Sequence, residues 1–312
     1  MENEKPLPKT MLEAVRYFSD PDTCLNFMAE LRWPDGVVCQ HCEHTEVMFL
    51  KTRRVWKCKS CRKQFSIKTG TILEDSPIGL DKWLSALWII VNSKNGVSSY
   101  ELHRSLGITQ KSAWFLSHRI RLAMQAGTFK KLSGHVEVDE TFIGGKARFM
   151  HKGDRARKIH GTGGSGKVAV MGLLERHGEV RTMVVPNVRR KSLHGQVNQH
   201  VEEGSTVYSD ALRSYDRLAE DYTHNVINHA ETYVRGNVHT NGIENFWSLL
   251  KRSIKGTYVS VEPFHLFRYL DEQSFRFNKR KASDLDRFIE AAKTVTGRRL
   301  TFKELTGHPE SH

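Results

Sequence analysis

Three carboxylates in this chain occupy positions where acids can do chemistry. Asp139 lies within HVEVDETFIGG, Asp210 closes STVYSD, and Glu244 stands near the start of NGIENFWSLLKR. Any one of them alone reads as a turn or helix cap. Together they read as hard oxygen donors for Mg2+, which takes carboxylates and water in its inner shell. Two such ions about 3.5–4 Å apart lower the pKa of a water and clamp both the attacking and the leaving oxygen of a phosphodiester. The stretch HTNGIENFWSLLKRSIKGTY adds two more polar groups in line with Glu244. On a helix Lys251 lies almost two turns after Glu244, and Asn241 lies one turn before it, all on one face. The neighbours Ile243, Phe246, Trp247, Leu250 and Ile254 form an adjoining apolar face that docks on a sheet.

Four of the five cysteines form a second constellation. Cys39-x-x-Cys42 and Cys58-x-x-Cys61 are separated by fifteen residues. Two facing thiolate pairs supply the tetrahedron that Zn2+ prefers, and a complete thiolate set leaves no open position, so the metal is structural. Between the pairs, EHTEVMFLKTRRVWK reads as a β-hairpin, and KCKSCRKQFSIKTGTIL continues into another strand. So small a sheet is marginal without its metal. Cys24 reads as a helix core residue. The ribbon carries Lys51, Arg53, Arg54, Lys57, Lys59, Arg62 and Lys63, which suit a phosphate backbone or a protein partner.

The elements that position these groups follow from periodicity. Residues 11–33 read as short helices, and residues 80–124 as helices broken at Asn95-Gly96 and at Gly107. Within the latter, VSSYELHRSLGITQKSAWFLSHRIRLAM fits a helix-turn-helix: Ser98 or Ser99 caps the first helix, Gly107 makes the turn and Thr109 caps the second. The second helix is expected to bury Ala113, Leu116 and Ile120 and to present His118, Arg119 and Arg121. From Gly134 the pattern changes to β-branched runs: HVEVDETFIGG, KVAVMGLLERHG and EVRTMVVPNV. In the first, Val136 and Val138 alternate with His135, Glu137 and Asp139, giving one apolar and one polar face. Then KSLHGQVNQHV reads as helix, STVYSD as strand, ALRSYDRLA as helix and HNVINH as a weak strand. This order predicts an α/β or α+β core with a mixed sheet. Residues 144–166, rich in Gly, Lys and Arg, read as a long basic loop that is either a disordered insertion or orders on phosphates. VEPFHLFRYLDEQSFRFNKRK reads as a basic helix. Phe264, Phe267, Tyr269 and Phe275 are expected in its core, with Arg276, Lys279, Arg280 and Lys281 on DNA. The resulting division is 1–33 N-terminal helices, 34–75 zinc ribbon, 76–130 helix-turn-helix-like region, 131–285 catalytic domain and 286–312 helical tail.

Across 312 residues, 48 Lys and Arg oppose 35 Asp and Glu, a formal charge of +13 that favours a polyanionic partner. No apolar run approaches the ~20 residues of a spanning helix. The start, MENEKPLPKT, carries no signal-peptide core. The expected location is cytoplasmic, where thiols bind metal rather than pair.

VEVDETFIGGK and NGIENFWSLLKR, behind an N-terminal zinc ribbon, resemble the bacterial insertion-sequence transposases of the DDE type. The likeness is to the group whose third catalytic position is Glu or Asn followed by a Lys, and it extends from about residue 15 to residue 280. It implies an RNase H-like catalytic domain with a mixed five-stranded sheet, Mg2+ (or Mn2+) at two ions per site, and cleavage and strand transfer of double-stranded DNA. By that resemblance Asp139, Asp210 and Glu244 bind the metals and Lys251 contacts DNA. Glu244 is preferred to Asn241 as third ligand because a full negative charge binds Mg2+ better than an amide. Asn241 is kept as a second ligand or a donor to phosphate. Pairing two transposon ends implies at least a dimer. Two alternatives stay open from the residues: another RNase H-like nuclease or resolvase, and a non-catalytic DNA-binding regulator.

Overall fold

The computed structural model describes residues 6–125, 130–145, 150–161, 164–210, 213–215, 218, 221–227 and 239–307. The chain divides into two compact units: residues 1–125 with 281–312, and residues 126–280. The first opens with α1 (Met11–Tyr17), closed by a reciprocal capping box between Thr10 and Glu13, and α2 (Pro21–Arg32), capped by Asp20 with Pro21 in the first turn. The ribbon is a small antiparallel sheet of β1 (Val47–Leu50), β2 (Val55–Cys58) and β3 (Gln64–Phe65). Its apolar content is little more than Trp56 and Phe65 against Trp33. Next come α3 (Leu80–Asn92), α4 (Ser99–Leu106) and α5 (Gln110–Met124). Ser98 and Thr109 cap α4 and α5 with their side chains. Gly107 closes the turn at φ 59°, where a Cβ would be strained.

The second unit is an α/β, RNase H-like domain. It contains β4 (His135–Ile143), α6 (Lys152–Lys158), β5 (Val168–Glu175), β6 (Val180–Val185), α7 (Arg190–His200), β7 (Thr206–Asp210), β8 (Thr223–Ile227), α8 (Asn241–Ser253) and α9 (Leu266–Asn278). The five strands lie in the order β6-β5-β4-β7-β8, with β4 antiparallel to β5 and parallel to β7. Both faces are covered, because alternate residues of the central strands point opposite ways. One face buries Val136, Val138, Met171 and Leu173 with Leu193 and Val197 of α7. The other buries Val170 and Leu174 under Ile243, Phe246, Trp247 and Leu250 of α8 and Leu266, Leu270 and Phe277 of α9.

Several local expectations change. The basic stretch 144–166 contains α6, while residues 146–149, 162 and 163 of it lie outside the described residues. In ALRSYDRLA a single 3-10 turn spans Arg213–Tyr215; residues 211, 212, 216, 217 and 219 lie outside the description. Phe264 and Phe267, expected in the core, are 57% and 37% exposed; Leu266, Leu270 and Phe277 fill it instead. Arg276, expected on DNA, is buried in an ion pair with Glu272 one turn earlier.

The chain then returns to the first unit as α10 (Asp284–Lys293) and α11 (Phe302–Thr306). Phe288 of α10 is fully buried among Phe18, Phe27 and Trp88. This return overturns the expected exposed face of α5. His118, Arg119 and Arg121 are all buried. The Arg119 guanidinium donates to the Leu300 and Glu74 carbonyls, and Phe302 packs edge-on to Phe115. A helix that looks two-faced in isolation is sheathed by a segment 180 residues further on, and Arg119 finds backbone oxygens while Arg121 donates to the Ser117 hydroxyl. Among the described residues no helix is long and apolar enough to cross a membrane.

Candidate active site

The metal ribbon is the simpler site. The Cys39 and Cys61 sulfurs are 3.6 Å apart, as are those of Cys42 and Cys58, and all four lie within 4.8 Å of one another. A Zn–S bond of about 2.3 Å sets tetrahedral sulfurs about 3.8 Å apart, so the cluster has the dimensions of a structural Zn2+ site. The residues after each knuckle, Glu43 and Arg62, share a left-handed conformation (φ 59° and 58°), so the two loops are built alike. Burial raises the Cys39 thiol, but the backbone N–H groups of His41 and Cys42 outweigh it and bring it to about 7. At Cys42 the His44 N–H favours the thiolate, yet burial and three neighbouring sulfurs push it to about 11. Such a cluster ionises fully only around a cation. Cys24 lies apart, buried, with its sulfur on the Phe18 carbonyl.

The carboxylate site is built where two parallel strands separate. β4 and β7 pair through His135↔Thr206, Val136↔Val207 and Glu137↔Tyr208, and the ladder ends there. The same offset brings Asp139 level with Asp210, just past the last paired residues. On adjacent parallel strands, level residues share a face. Asp139 faces α8: Trp247 Nε1 donates to its Oδ2 at 3.0 Å, and the Glu140 N–H donates to its Oδ1 at 2.8 Å. Gly172, opposite Asp139 on β5, admits the helix this closely. A Cβ there would meet Trp247 Cζ2 at 2.6 Å and Ile243 Cδ1 at 2.8 Å.

The apolar docking face of α8 is as expected: Ile243, Phe246, Trp247 and Leu250 are buried. Asn241 and Glu244 are exposed and Lys251 is half-buried. Thr240 donates to Glu244 Oε1 at 3.1 Å. Burial pushes the Asp139 carboxyl up to about 6; the negative charges of Asp210 and Glu244 add to this, against the Glu140 and Trp247 N–H donors. The Lys251 ammonium is lowered by burial, while the Asp139 charge supports it. Asp210, Glu244 and Lys251 are thus each within electrostatic reach of Asp139. The carboxylates do not close to ligand contact: among the described residues only the cysteines bring three or more ligand atoms within 4.8 Å. A pair of hydrated ions needs no tighter set, since Mg2+ keeps several waters. Asp139 with the carboxylates of Asp210 and Glu244 within electrostatic reach, and the half-buried Lys251 ammonium near it, fits a divalent cation in donor type and in charge.

Glu140 turns to the opposite face, as its place in the strand requires. Its Oε2 accepts from Tyr215 at 2.6 Å. Burial pushes its carboxyl to about 7 in spite of that bond, and the Asp210 and Asp139 charges push the same way. Sequence reasoning passed over Glu137. Placed on the polar face of β4, it is 1% exposed, under the start of α8. Its spacing of two from Asp139 gave the shared face; only the position of α8 shows that this face is covered.

Comparison with known proteins adds an independent line. The family model of the ISXO2-like transposase domain matches residues 131–278, and that of the transposase zinc-ribbon domain matches residues 19–64. An uncharacterised protein of the transposable element ISH50 from Halobacterium salinarum is 29% identical over 251 residues, covering 76% of this chain and 84% of its own length. A transposase-like protein from Haemophilus influenzae is 37% identical over 101 residues, 32% of this chain and 81% of its own length.

Proposed function

Because this chain belongs to the insertion-sequence transposases that join a zinc ribbon to an ISXO2-like transposase domain, we propose that it binds terminal inverted repeats, cleaves transposon ends and joins the freed 3′ hydroxyl to target DNA. It is a DNA transposase enzyme by that membership. Cleavage by water and attack by the 3′ hydroxyl are both in-line phosphoryl transfers, which need positioning and charge stabilisation more than a protein acid or base. Asp139, Asp210 and Glu244 are the residues that would hold two Mg2+ (or Mn2+) ions, which when bound supply an activated water and neutralise charge on the phosphodiester oxygens. Lys251 lies beside them, suited to a non-bridging phosphate oxygen. Asn241, one turn before Glu244, offers an amide to the DNA or a further oxygen. The observation that supports this most is the register that brings Asp139 level with Asp210 where β4 and β7 part, under the helix that carries Glu244; burial raises the Asp139 carboxyl there, and the charges of Asp210 and Glu244 add to it.

DNA contact in this reading rests on the ribbon, where Lys51, Arg53, Arg62 and Lys63 are exposed, and on the first turn of α5, where Lys111 is exposed. The buried remainder of α5 is not a reading surface. Two transposon ends call for at least two copies of the chain, and the expected compartment is the cytoplasm. The test is a strand-transfer assay with labelled ends and Mg2+. Asp139→Ala, Asp210→Ala and Glu244→Ala should each cut at least about a hundredfold more slowly, the loss of a few kcal/mol of charge stabilisation. If all three cut and join normally, the site is misassigned. If Asn241→Ala is dead and Glu244→Ala active, Asn241 is the third ligand.

A further inference from the structure

Glu137 carries a buried carboxylate that the proposed chemistry does not use. Its Oε1 takes the Arg176 Nε–H at 2.9 Å and lies 3.3 Å from His239 Nδ1. Its Oε2 accepts the Ile243 N–H at 2.9 Å. That N–H belongs to the first turn of α8, where helical amides have no partner within the helix. The usual partner is the N-cap side chain, but Thr240 makes no such bond and instead donates to Glu244. The cap is therefore supplied from the sheet, by a carboxylate placed at the positive end of the helix dipole. Arg176 completes the clamp: its Nη2 donates to the His239 carbonyl at 2.6 Å, and its guanidinium lies 4.0 Å over the Tyr208 ring. Tyr208 is the β7 partner of Glu137. Gly242 is required at the crossing, since a Cβ there would sit 2.8 Å from Glu137 Oε2 and 2.6 Å from Leu174 Cδ2.

We propose that Glu137 is a positioning residue that, with Arg176, fixes the first turn of α8 on the sheet and thereby sets Glu244 opposite Asp139. The inference rests on the reading of Glu244 as a metal ligand. Glu137 lies two residues before Asp139 on the same strand face, and Ile243 immediately precedes Glu244. One side chain thus joins the strand that carries the first ligand to the turn that carries the third. Groups that orient a ligand in this way tune metal affinity without touching the metal.

The test uses the full chain with Glu137→Gln, which keeps the side-chain volume but sets an NH2 against one of two donors, Arg176 or Ile243. Hydrogen exchange at the Ile243 and Glu244 amides should quicken by about tenfold or more while the Val170 and Val207 amides keep their protection. The Mn2+ dissociation constant, read by calorimetry, should rise about tenfold, with binding to an end duplex unchanged. Arg176→Lys, which keeps the charge but loses the fork and the stack, should move both readings the same way and serves if Glu137→Gln does not fold. Unchanged Ile243 exchange, or wild-type Mn2+ affinity in a folded variant, overturns the proposal. Asp139→Ala and Glu244→Ala are the controls: if they keep Mn2+ affinity, the metal site itself is misassigned and the fault lies there and not with Glu137.

Discussion

At the scale of single residues, the site is governed by how hard it is to keep Asp139 ionised. Burial, reinforced by Asp210 and Glu244, holds its carboxyl at about 6. In the proposed role of Asp139 as a metal ligand only its carboxylate binds the ion, so metal affinity should fall as pH drops through about 6 and be present above it. Trp247 donates to the ionised form, and removing that donor moves the transition upward. Trp247→Phe should therefore weaken Mn2+ binding more at pH 6.5 than at pH 8. An equal loss at both values, in a calorimetric titration across pH, would refute the assignment of the indole to the carboxylate. The three proposed acids stand out in the sequence because each sits on the polar side, or at the end, of an element with an apolar pattern. Glu137 has the same pattern and a different fate, since its face is closed by a helix a hundred residues away. Period-two alternation tells which residues share a face, but not whether that face meets water.

At the scale of elements, α8 decides the site, and its closeness to β5 depends on the lack of a side chain at Gly172. Gly172→Ala should cost about 1–3 kcal/mol through overpacking against Trp247 and Ile243. It should also reduce DNA cleavage by more than it reduces end binding. Gly195→Ala in α7, where an added methyl meets nothing within 4 Å, should be neutral or gain up to about 1 kcal/mol from helix propensity. If the two variants melt and cleave alike, the contact at Gly172 does not position the helix. The periods that gave β4 and α8 are strong because each has one apolar face, whereas β5 reads as a strand from a continuous apolar run buried on both faces. The reading of α5 failed for the converse reason. His118, Arg119 and Arg121 look like a solvent face, but Arg119 spends its donors on the carbonyls of Glu74 and Leu300. No local pattern announces a partner contributed by the far end of the chain.

At the scale of the whole molecule, the two units are built differently. Residues 126–280 form one contiguous unit, whereas the first unit joins residues 1–125 to 281–312. Phe288, fully buried against Phe18, Phe27 and Trp88, is an apolar tie between those two stretches. Phe288→Ala should destabilise the first unit by about 3–5 kcal/mol, followed by Trp88 fluorescence in urea. Amide protection in β4 and β5 should stay as it was, and a loss below about 1 kcal/mol would show that the tie is weak. This interrupted layout also sets an order of events during synthesis. The residues of the domain bearing Asp139, Asp210 and Glu244 are all translated before Phe288. A prematurely terminated product would then carry all three proposed acids but lack the aromatic strut of the first unit, so intact translation itself becomes a condition for that unit to close.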